Sequence, residues 1–362
     1  MKPIVYYNID NLVSHNADYN ILFGERSNGK SYQLKYKRAV MNYLETGHRF
    51  ILLRRFREEI TASMIEQYFQ DVDVDRLTNG KYNCIVSYRK HIYLAKYDSE
   101  NDKPIKGEKI GYAMALSTEQ NYAGGSFLDV WDIIFEEFMA RTRYLNNEPM
   151  KLMNLYATVD RKRGTTKLWL VGNSISRVCP YIYEWGLHDI ISKQKQGTIE
   201  TKELEGTGGD KINLAIEYCK STGVSSHTIG WSKEMMSDGS WQSFPQPHLP
   251  KSYKEYKMVF RFIFQYQNFR FISELLQDKL EKDKICWFIY PMSDKADIKK
   301  NQLVISDKVD INPYWQRDIY NITLKNETLK NLLQTFREDR IFYANDLVGT
   351  DFKQVIDFTI RR

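Results

Sequence analysis

Short apolar runs alternate with helix-compatible segments through the first 190 residues of the chain. The apolar runs occupy residues 21–23, 48–53, 110–116, 133–135 and 167–171. Each run is short enough for a buried strand, and period-two alternation over residues 83–97 indicates a hairpin. Helices are predicted for residues 32–44, which lack Gly and Pro, and for residues 147–159. Strands that alternate with helices indicate an α/β fold with a doubly wound, mainly parallel sheet.

The pattern changes near residue 191. Residues 192–210 are polar and contain four glycines, which is typical of a linker, and residues 211–228 are compatible with a short helix that belongs to it. Beyond this segment, residues 258–272 are β-rich, and further strands are predicted at 285–290 and 302–306. Helices are predicted at 326–338 and 352–360. We therefore predict one domain at 1–191, a linker at 192–229, and a small α+β domain at 230–362.

Composition narrows the class of protein without deciding it. The chain has 362 residues, a net charge of +6 and 14% aromatic residues. Its length allows two domains, and its positive charge permits nucleic-acid binding without requiring it. The four cysteines are far apart and form no CxxC pair, which fits a reducing cytoplasm. The N-terminus lacks an apolar signal core and no uncharged run approaches the roughly 18 apolar residues of a membrane span, so we expect an intracellular protein with no membrane partner.

The segment after the first apolar run carries the most specific motif. Residues 24–31, GERSNGKS, match the P-loop pattern Gly-x-x-x-x-Gly-Lys-Ser. Glycines let a backbone wrap around a phosphate, and the N-terminus of the following helix supplies free N–H groups. We predict an ATP site in which Lys30 reaches the β- and γ-phosphates and Ser31 holds Mg²⁺. The predicted nucleotide-binding residues are Gly24, Glu25, Arg26, Ser27, Asn28, Gly29, Lys30 and Ser31, together with Asn173.

Chance is the alternative explanation of this motif, and the strand before it and the helix after it count against chance. Tyr6 and Tyr7 precede the motif, where an aromatic ring could stack on adenine, although core packing is the commoner role. Arg26 is unusual inside a P-loop. It could contact phosphate or face a neighbouring subunit.

An acidic pair follows the apolar run at 133–135. Glu136 and Glu137 come at the carboxyl end of that predicted strand, which is the edge where open α/β sheets bind ligands. ATP hydrolysis requires a carboxylate that holds Mg²⁺ and a group that orients and deprotonates water. We assign the first role to Glu136, acting through water, and the second to Glu137. A solvated acidic pair is the alternative, and it would be preferred if the P-loop were absent.

Two further positions could complete the site. Arg161 begins the basic run Arg161-Lys162-Arg163 and is a candidate arginine finger, a side chain that stabilises phosphoryl charge and is worth about 10³–10⁵ in rate. A solvated basic face is the alternative for this run, and Arg163 is the alternative finger within it. Asn173 follows the run at 167–171 and is a candidate sensor of the γ-phosphate.

Several of these motifs occur together in one known family. GERSNGKS, ILLRRFR, IIFEEF, TVDRKR and LVGNSISRVCPY follow one another over residues 1–190. This set resembles the DNA-packaging motor ATPases of small phi29-type tailed bacteriophages, which belong to the ASCE class of P-loop ATPases and are related to large terminases. Beyond the predicted linker the resemblance is weaker and depends mostly on the order of the elements.

The resemblance implies both a fold and a function. The implied fold is an ASCE ATPase domain followed by an RNase H-like domain without a nuclease active site, and the predicted first strand of that domain, VFRFIFQY, carries no Asp. The implied function is ATP-driven translocation of double-stranded DNA into an empty phage prohead. The implied assembly is a homomeric ring, expected to be a pentamer, at the portal vertex of the prohead in the host cytoplasm. The use of a structural packaging RNA is left open.

The resemblance also implies roles for individual residues. Lys30 and Ser31 match the Walker A residues, and Glu136 and Glu137 match the Walker B acid and the catalytic glutamate. Glu136 departs from the family's usual Asp and is one methylene longer. Arg161 matches the position of an arginine finger that acts in trans.

Arg57, in the run after the second predicted strand, matches a basic position associated with the DNA-facing pore of the ring. Two other functions stay open at this point. One is a different DNA-stimulated ASCE ATPase, such as a helicase. The other is a nucleotide-gated binding module with slow hydrolysis. DNA-stimulated ATP turnover separates a motor from a passive module, and strand displacement separates a helicase from a translocase.

Overall fold

A computed structural model describes residues 5–98, 100–140, 143–206, 208–224, 239–266, 269–293, 296–306, 310–316, 336 and 340–360. The contacts between residues divide the chain into two compact units, Met1–Ser240 and Trp241–Arg362. In the described residues, each unit is organised around one mixed sheet.

Nine strands form the sheet of the first unit. They are β1 Tyr19–Gly24, β2 Arg49–Arg54, β3 Cys84–Tyr88, β4 His91–Asp98, β5 Lys103–Ala115, β6 Val130–Glu136, β7 Lys167–Val171, β8 Thr198–Glu205 and β9 Lys211–Cys219. Their order is β3-β4-β5-β2-β6-β7-β1-β9-β8. The six strands from β5 to β9 are parallel, and antiparallel pairing adds β3 and β4 at one edge and β8 at the other.

Helices connect these strands. They are α1 Asp10–Ser14, α2 Lys30–Gln33, α3 Asn42–Thr46, α4 Ala62–Phe69, α5 Val74–Leu77, α6 Glu148–Asp160, α7 Pro180–Glu184 and α8 His188–Lys193. A π-helix, Leu34–Met41, joins α2 to α3, and 3₁₀ turns lie at Arg57–Glu59 and Leu116–Tyr122. The helix expected over residues 32–44 is therefore present, but its middle has the wider π geometry.

Burial explains why the central strands are apolar runs. All six residues of β1 are buried, as are six of the seven in β6, because helices cover both faces of a parallel sheet. The predicted strands at 21–23, 48–53, 110–116, 133–135 and 167–171 and the hairpin at 83–97 are confirmed. β7 lies between β1 and β6, so the strand that leads into the P-loop and the strand that ends in the acidic pair are not neighbours.

The interpretation of residues 192–229 as a linker is wrong for the part that forms β8 and β9. β9 pairs in parallel with β1, and β8 pairs with β9 as an edge hairpin. The glycines at 206, 208 and 209, between β8 and β9, gave the linker signal, and the polar residues of β8 are those of a solvent-facing edge strand. The helix predicted from residue 211 is also wrong, because a short apolar run fits either element until its pairing is known. The boundary between the units falls after Ser240 rather than near residue 230.

The second unit is a mixed sheet with one long helix at its end. Its elements are β10 Tyr256–Tyr266, β11 Phe269–Asp278, β12 Ile285–Pro291, β13 Val304–Ser306, β14 Trp315–Gln316, β15 Ile341–Tyr343 and α9 Asp346–Ile360. β10, β11 and β12 form an antiparallel meander, and β13 and β14 extend it in parallel from β10. The order β12-β11-β10-β13-β14, with these directions, is that of the RNase H fold.

The strands predicted at 285–290 and 302–306 are confirmed as β12 and β13, and the β-rich stretch 258–272 covers parts of two antiparallel strands, β10 and β11. The helix predicted at 352–360 is the later part of α9. The helix predicted at 326–338 lies outside the described residues, apart from Phe336. Within the part of the chain that the structure describes, no helix has the length and apolar character needed to span a membrane.

Candidate nucleotide-binding site

The P-loop lies between β1 and α2 and lines a cleft with a volume of about 620 Å³. Gly24 and Gly29 both have positive φ, at 146° and 104°, which favours glycine at these positions. A Cβ on Gly24 would lie 2.9 Å from the carbonyl oxygen of Cys219, so only glycine allows β1 and β9 to approach this closely. Gly29 directly precedes α2, and the predicted strand–loop–helix context of the motif is therefore present.

The side chain of Lys30 is held inside this loop. Its Nζ donates hydrogen bonds to the carbonyl oxygen of Glu25 and, at 3.0 Å, to Oδ1 of Asn28. Burial lowers the pKa of Lys30, and the nearby carboxylates of Glu136 and Glu25 act in the opposite direction. The loop thus points the ammonium group toward its own concave side, where it can exchange these partners for phosphate oxygens.

Ser31 and Glu136 form a pair of oxygen ligands at the cleft. The Ser31 hydroxyl donates to Oε2 of Glu136 at 3.0 Å, and Glu136 is buried. The Tyr68 hydroxyl donates to the other carboxylate oxygen, Oε1, at 2.6 Å. Burial raises the pKa of Glu136, while the hydrogen bonds from Tyr68 and Ser31 and the charge of Arg54 lower it. Hard oxygen donors of this kind suit Mg²⁺, so the residues present fit that metal.

Tyr68 was not identified from the sequence. It lies on α4, 68 residues before Glu136, and nothing in the local pattern distinguishes it from the other tyrosines. Burial raises the pKa of Tyr68 well above its usual range, so the hydroxyl remains a hydrogen-bond donor at neutral pH. Tyr68 therefore fixes the oxygen of Glu136 that Ser31 does not reach.

Glu137 lies at the turn that ends β6. Its φ is +57°, a left-handed conformation that costs energy for a non-glycine residue and that recurs at active sites. Its side chain is exposed and pairs with Arg54, with Nη2 3.3 Å from Oε2. Glu137 lines the same cleft as Lys30 and Ser31. The structure thus brings both predicted acids to the P-loop edge of the sheet.

Arg55 stabilises this strained turn from beneath. Its guanidinium donates to the carbonyl oxygens of Glu137, at 3.0 Å, and Phe138, at 2.7 Å. Its Nε also donates to both carboxylate oxygens of the buried Glu148, the first residue of α6, and the Tyr181 hydroxyl donates to the same carboxylate at 2.9 Å. Arg55 was not distinguished from its neighbours in the sequence, and its role is to hold the turn that carries Glu137.

The far side of the P-loop is tied to the chain that follows β9. The Glu25 carboxylate accepts hydrogen bonds from the backbone N–H and the hydroxyl of Thr222, and Asn28 Nδ2 lies 3.4 Å from the carbonyl oxygen of Lys220. The side chains of Glu25 and Asn28 therefore hold the loop in place, and Thr222 is a contact that the sequence did not indicate.

The remaining predicted nucleotide-binding residues also line the cleft. Arg26 and Ser27 are exposed on the loop, and Asn173 lies beyond the end of β7. Tyr6 and Tyr7 lie against the loop, where the Tyr7 N–H donates to the carbonyl oxygen of Asn28 at 2.9 Å.

Arg161 lies away from this cleft. It caps the C-terminus of α6, and its Nη2 donates to the carbonyl oxygen of Gly125 at 2.6 Å. Arg163 beside it donates to the carbonyl oxygens of Leu128 and Val130, next to the start of β6. Glu136 ends the same seven-residue strand, so Arg161 is separated from Glu136 of its own chain by roughly 20 Å.

Arg57 begins the 3₁₀ turn that follows β2, and it is exposed. β2 is parallel to β6, so Arg57 and Glu137 lie at the same edge of the sheet. It is therefore accessible to a partner at the edge that carries the cleft.

The fold and the site together define a class of protein. A P-loop follows β1, an acidic pair follows β6, and β7 is the additional strand between them, which is the arrangement of ASCE P-loop NTPases. The chain belongs to the podovirus DNA encapsidation protein (Gp16) family, whose model matches residues 1–269.

The individual proteins to which the chain is similar are consistent with this family assignment. The DNA packaging protein of Bacillus phage phi29 is 27% identical over 197 residues, which are 54% of this chain and 54% of that protein. The DNA packaging protein of Bacillus phage B103 is 29% identical over 186 residues, 51% of this chain and 52% of that protein. The aligned region thus spans about half the length of these curated relatives.

A solved structure of the bacteriophage phi29 viral genome packaging motor assembly is similar over 98% of this chain and 99% of that chain. The identity is 20% and the TM-score is 0.56, so this likeness concerns the fold. It extends over both units, and therefore supports the assignment of an ASCE ATPase fold followed by a nuclease-like fold.

Proposed function

We propose that this protein is an ATP-driven motor that translocates double-stranded DNA into an empty phage prohead. The observation that carries the proposal is the convergence of Lys30, Ser31, Glu136 and Glu137 on one cleft. The chain that carries this cleft belongs to a DNA encapsidation family. Relatives in that family are DNA packaging proteins, and packaging DNA against resistance requires an energy source that ATP turnover at this cleft would supply.

The cleft has the groups that ATP hydrolysis requires. Backbone N–H groups of the P-loop and the Lys30 ammonium would hold the phosphates, and Ser31 and Glu136 would hold Mg²⁺. Mg²⁺, when bound, would neutralise charge on the β- and γ-phosphates. Glu137 would accept the proton of the attacking water, and Asn173 would contact the γ-phosphate. The Glu137 carboxylate is paired with Arg54, so this contact must loosen before the carboxylate can accept the proton of water.

Arg161 is proposed to complete the site of a neighbouring subunit. A side chain separated from its own Glu136 by roughly 20 Å cannot stabilise the γ-phosphoryl group of its own cleft. Arg163 is the weaker candidate, because its guanidinium already donates to the carbonyl oxygens of Leu128, Val130 and Val159. A finger supplied by a neighbour implies a ring, which we propose to be a homopentamer.

The ring can be tested by mixing inactive subunits. Arg161→Ala and Glu137→Gln subunits should each lack ATPase activity alone. In mixed rings, some interfaces would pair an intact Glu137 with an intact Arg161, and these should recover part of the activity. The same mixture with Arg163→Ala is the control for the position of the finger. Verified mixed assembly without recovery would contradict a finger that acts in trans.

The phi29 motor assembly suggests where the ring works. We infer that it acts at the portal vertex of the prohead, in the host cytoplasm, with double-stranded DNA as its substrate. Arg57 is proposed to face this DNA, because it is exposed at the edge of the sheet. Whether a packaging RNA joins the assembly would be decided by adding that RNA to proheads and this protein.

The second unit is proposed to bind nucleic acid or a partner without cutting DNA. The buried Glu274 of β11 is already bound by Arg261, Tyr253 and Tyr290. Its oxygens are therefore occupied by donors rather than free for a metal ion. Among the residues that the structure describes, no group of three or more His, Cys, Asp or Glu is placed to hold a metal. A nuclease assay with Mg²⁺ and Mn²⁺ should leave linear DNA intact.

The motor proposal is tested first by ATP turnover with and without double-stranded DNA. A motor should hydrolyse ATP faster with DNA, whereas a nucleotide-gated binding module should not respond. A strand-displacement assay separates the remaining alternative, because a helicase releases one strand and a duplex translocase does not.

A further inference from the structure

The tip of the β3–β4 hairpin has an unusual backbone for its sequence. Tyr88 pairs with His91, so the loop between the strands consists of Arg89 and Lys90 alone. Their φ angles are +50° and +64°. Two-residue loops with positive φ at both positions are normally Asn-Gly, Asp-Gly or Gly-Gly, because other side chains are strained there. The chain therefore places two long cations where a turn-forming pair would be more stable.

The strained turn displays positive charge beside an exposed aromatic ring. The Arg89 guanidinium lies 5.2 Å from the centroid of the Tyr88 ring, and the Lys106 ammonium lies 3.6 Å from the same centroid. Tyr88 is 45% exposed, and Arg89 and Lys106 are also exposed. In the described part of the chain, no acidic group is ion-paired with Arg89, Lys90 or Lys106. Beside the turn, the carboxylate of Glu66 accepts a hydrogen bond from the backbone N–H of Ser87 rather than from one of these cations.

The position of the turn within the sheet links it to Arg57. The carbonyl oxygen of Lys90 accepts a hydrogen bond from the N–H of Ala113, near the carboxyl end of β5. β5 is parallel to β2, and Ala115 pairs with Arg54. The turn and Arg57 thus lie at the same edge of the sheet. β4 and β2 are two strand spacings apart, about 10 Å, so both can contact one surface.

We propose that this hairpin tip, consisting of Tyr88, Arg89 and Lys90, together with the Lys106 side chain that reaches it from β5, contacts the phosphate backbone of the translocated double-stranded DNA. This inference rests on the proposed motor function and names a second DNA-contacting element beside Arg57. The chemistry favours backbone contact, because cations bind phosphates of any sequence and a motor must accept every sequence. Strain retained at an exposed turn is most simply explained by a function of the residues that cause it.

A turn-optimised variant separates function from stability. Arg89→Asn with Lys90→Gly installs the preferred two-residue turn and removes both charges. Its thermal midpoint should equal or exceed that of the wild-type protein, and its basal ATPase should be unchanged. Its affinity for double-stranded DNA at low salt should fall by about tenfold. The slope of log affinity against log salt should decrease by about 1 to 2, since each lost phosphate contact removes about 0.9.

Two controls accompany this variant. Lys103→Ala with Lys211→Ala removes the same charge from exposed positions at the amino ends of β5 and β9, which is the opposite edge of the sheet, and should leave the salt slope unchanged. Arg89→Lys with Lys90→Arg keeps both charges in the strained turn and should retain DNA binding.

The outcomes distinguish the hairpin proposal from the motor proposal. A turn-optimised variant that binds DNA with the wild-type affinity and salt slope overturns the hairpin proposal alone. The hairpin proposal is also overturned if the turn-optimised variant loses binding to an RNA duplex while its binding to DNA is unchanged. A wild-type protein whose ATPase does not respond to DNA contradicts the motor proposal instead. If the turn-optimised variant fails to fold, Lys106→Ala, which leaves the turn unchanged, should still reduce the DNA salt slope, and an unchanged slope refutes the proposal.

Discussion

Replacing Tyr68 with Phe removes one hydroxyl from the proposed metal site and leaves the aromatic ring in place. That hydroxyl donates to Oε1 of Glu136 at 2.6 Å, while Ser31 donates to Oε2 at 3.0 Å. Glutamate has one more methylene than the aspartate that is usual at this position, so its carboxylate has more freedom to rotate. The hydrogen bond from Tyr68 removes that freedom, and its loss should misplace the carboxylate that holds Mg²⁺.

The size of the effect follows from the kind of hydrogen bond. A hydrogen bond to a charged group contributes about 1.5–3 kcal/mol to the stability of the arrangement that it holds. Glu136 keeps a second donor in Ser31 when the Tyr68 hydroxyl is removed, so the lower end of this range applies, which corresponds to roughly a tenfold effect. We expect the Mg²⁺ concentration for half-maximal binding of a non-hydrolysable ATP analogue to rise about tenfold in Tyr68→Phe. Binding of the nucleotide without Mg²⁺ should be unchanged.

The assay is a Mg²⁺ titration followed by nucleotide fluorescence or calorimetry, which does not depend on turnover. Tyr253→Phe is the matched control, because Tyr253 donates to the buried Glu274 of the second unit at the same distance of 2.6 Å. It should leave the Mg²⁺ dependence unchanged. In a Glu136→Asp background, the shorter carboxylate should no longer reach Tyr68. Adding Tyr68→Phe to that background should therefore raise the Mg²⁺ midpoint by less than it does in the wild type. A Mg²⁺ midpoint within twofold of wild type in Tyr68→Phe would refute the positioning role.

Three further predictions concern the same cleft and its edge. Lys30→Ala should abolish ATP turnover, because it removes the positive charge at the β- and γ-phosphates; a near-normal kcat would contradict the site assignment. Glu137→Gln should bind ATP but hydrolyse it at least about 10²-fold more slowly, since an amide cannot accept the proton of water; if Glu136→Gln blocks turnover while Glu137→Gln spares it, the two roles are reversed. Arg57→Ala should weaken DNA binding and flatten its salt dependence while basal ATPase survives; unchanged DNA affinity, salt slope and packaging rate would show that Arg57 is a solvated surface residue.

The parts of the site that could be predicted from the sequence are those whose residues are adjacent along the chain. The P-loop is contiguous, and Glu136 and Glu137 directly follow a buried apolar run, so both could be placed on a parallel sheet before the structure was known. The order of strands then brought them together, since parallel strands end at one edge.

The parts that the sequence did not reveal depend on pairing between distant segments. Tyr68 meets Glu136 because α4 packs beside the cleft, and Thr222 meets Glu25 because β9 joins the sheet next to β1. β8 and β9 were missed for the same reason, as the polar edge strand and its glycine-rich turn resemble a linker until the partner strand is known. The roles of single side chains within one motif could not be predicted either, as Arg54, Arg55 and Arg57 show. Their local sequence is the same basic run, but one pairs with Glu137, one is buried under the turn, and one is exposed.

The central claim is that ATP turnover at this cleft moves DNA into a prohead. The most direct measurement combines the purified protein with empty proheads, linear double-stranded DNA and ATP, and then quantifies the DNA that is protected from added nuclease. We expect full-length protected DNA with the wild-type protein, and none with Lys30→Ala or when a non-hydrolysable analogue replaces ATP. If the wild-type protein hydrolyses ATP and binds the proheads and DNA, yet no DNA becomes protected, the assignment as a packaging motor is contradicted.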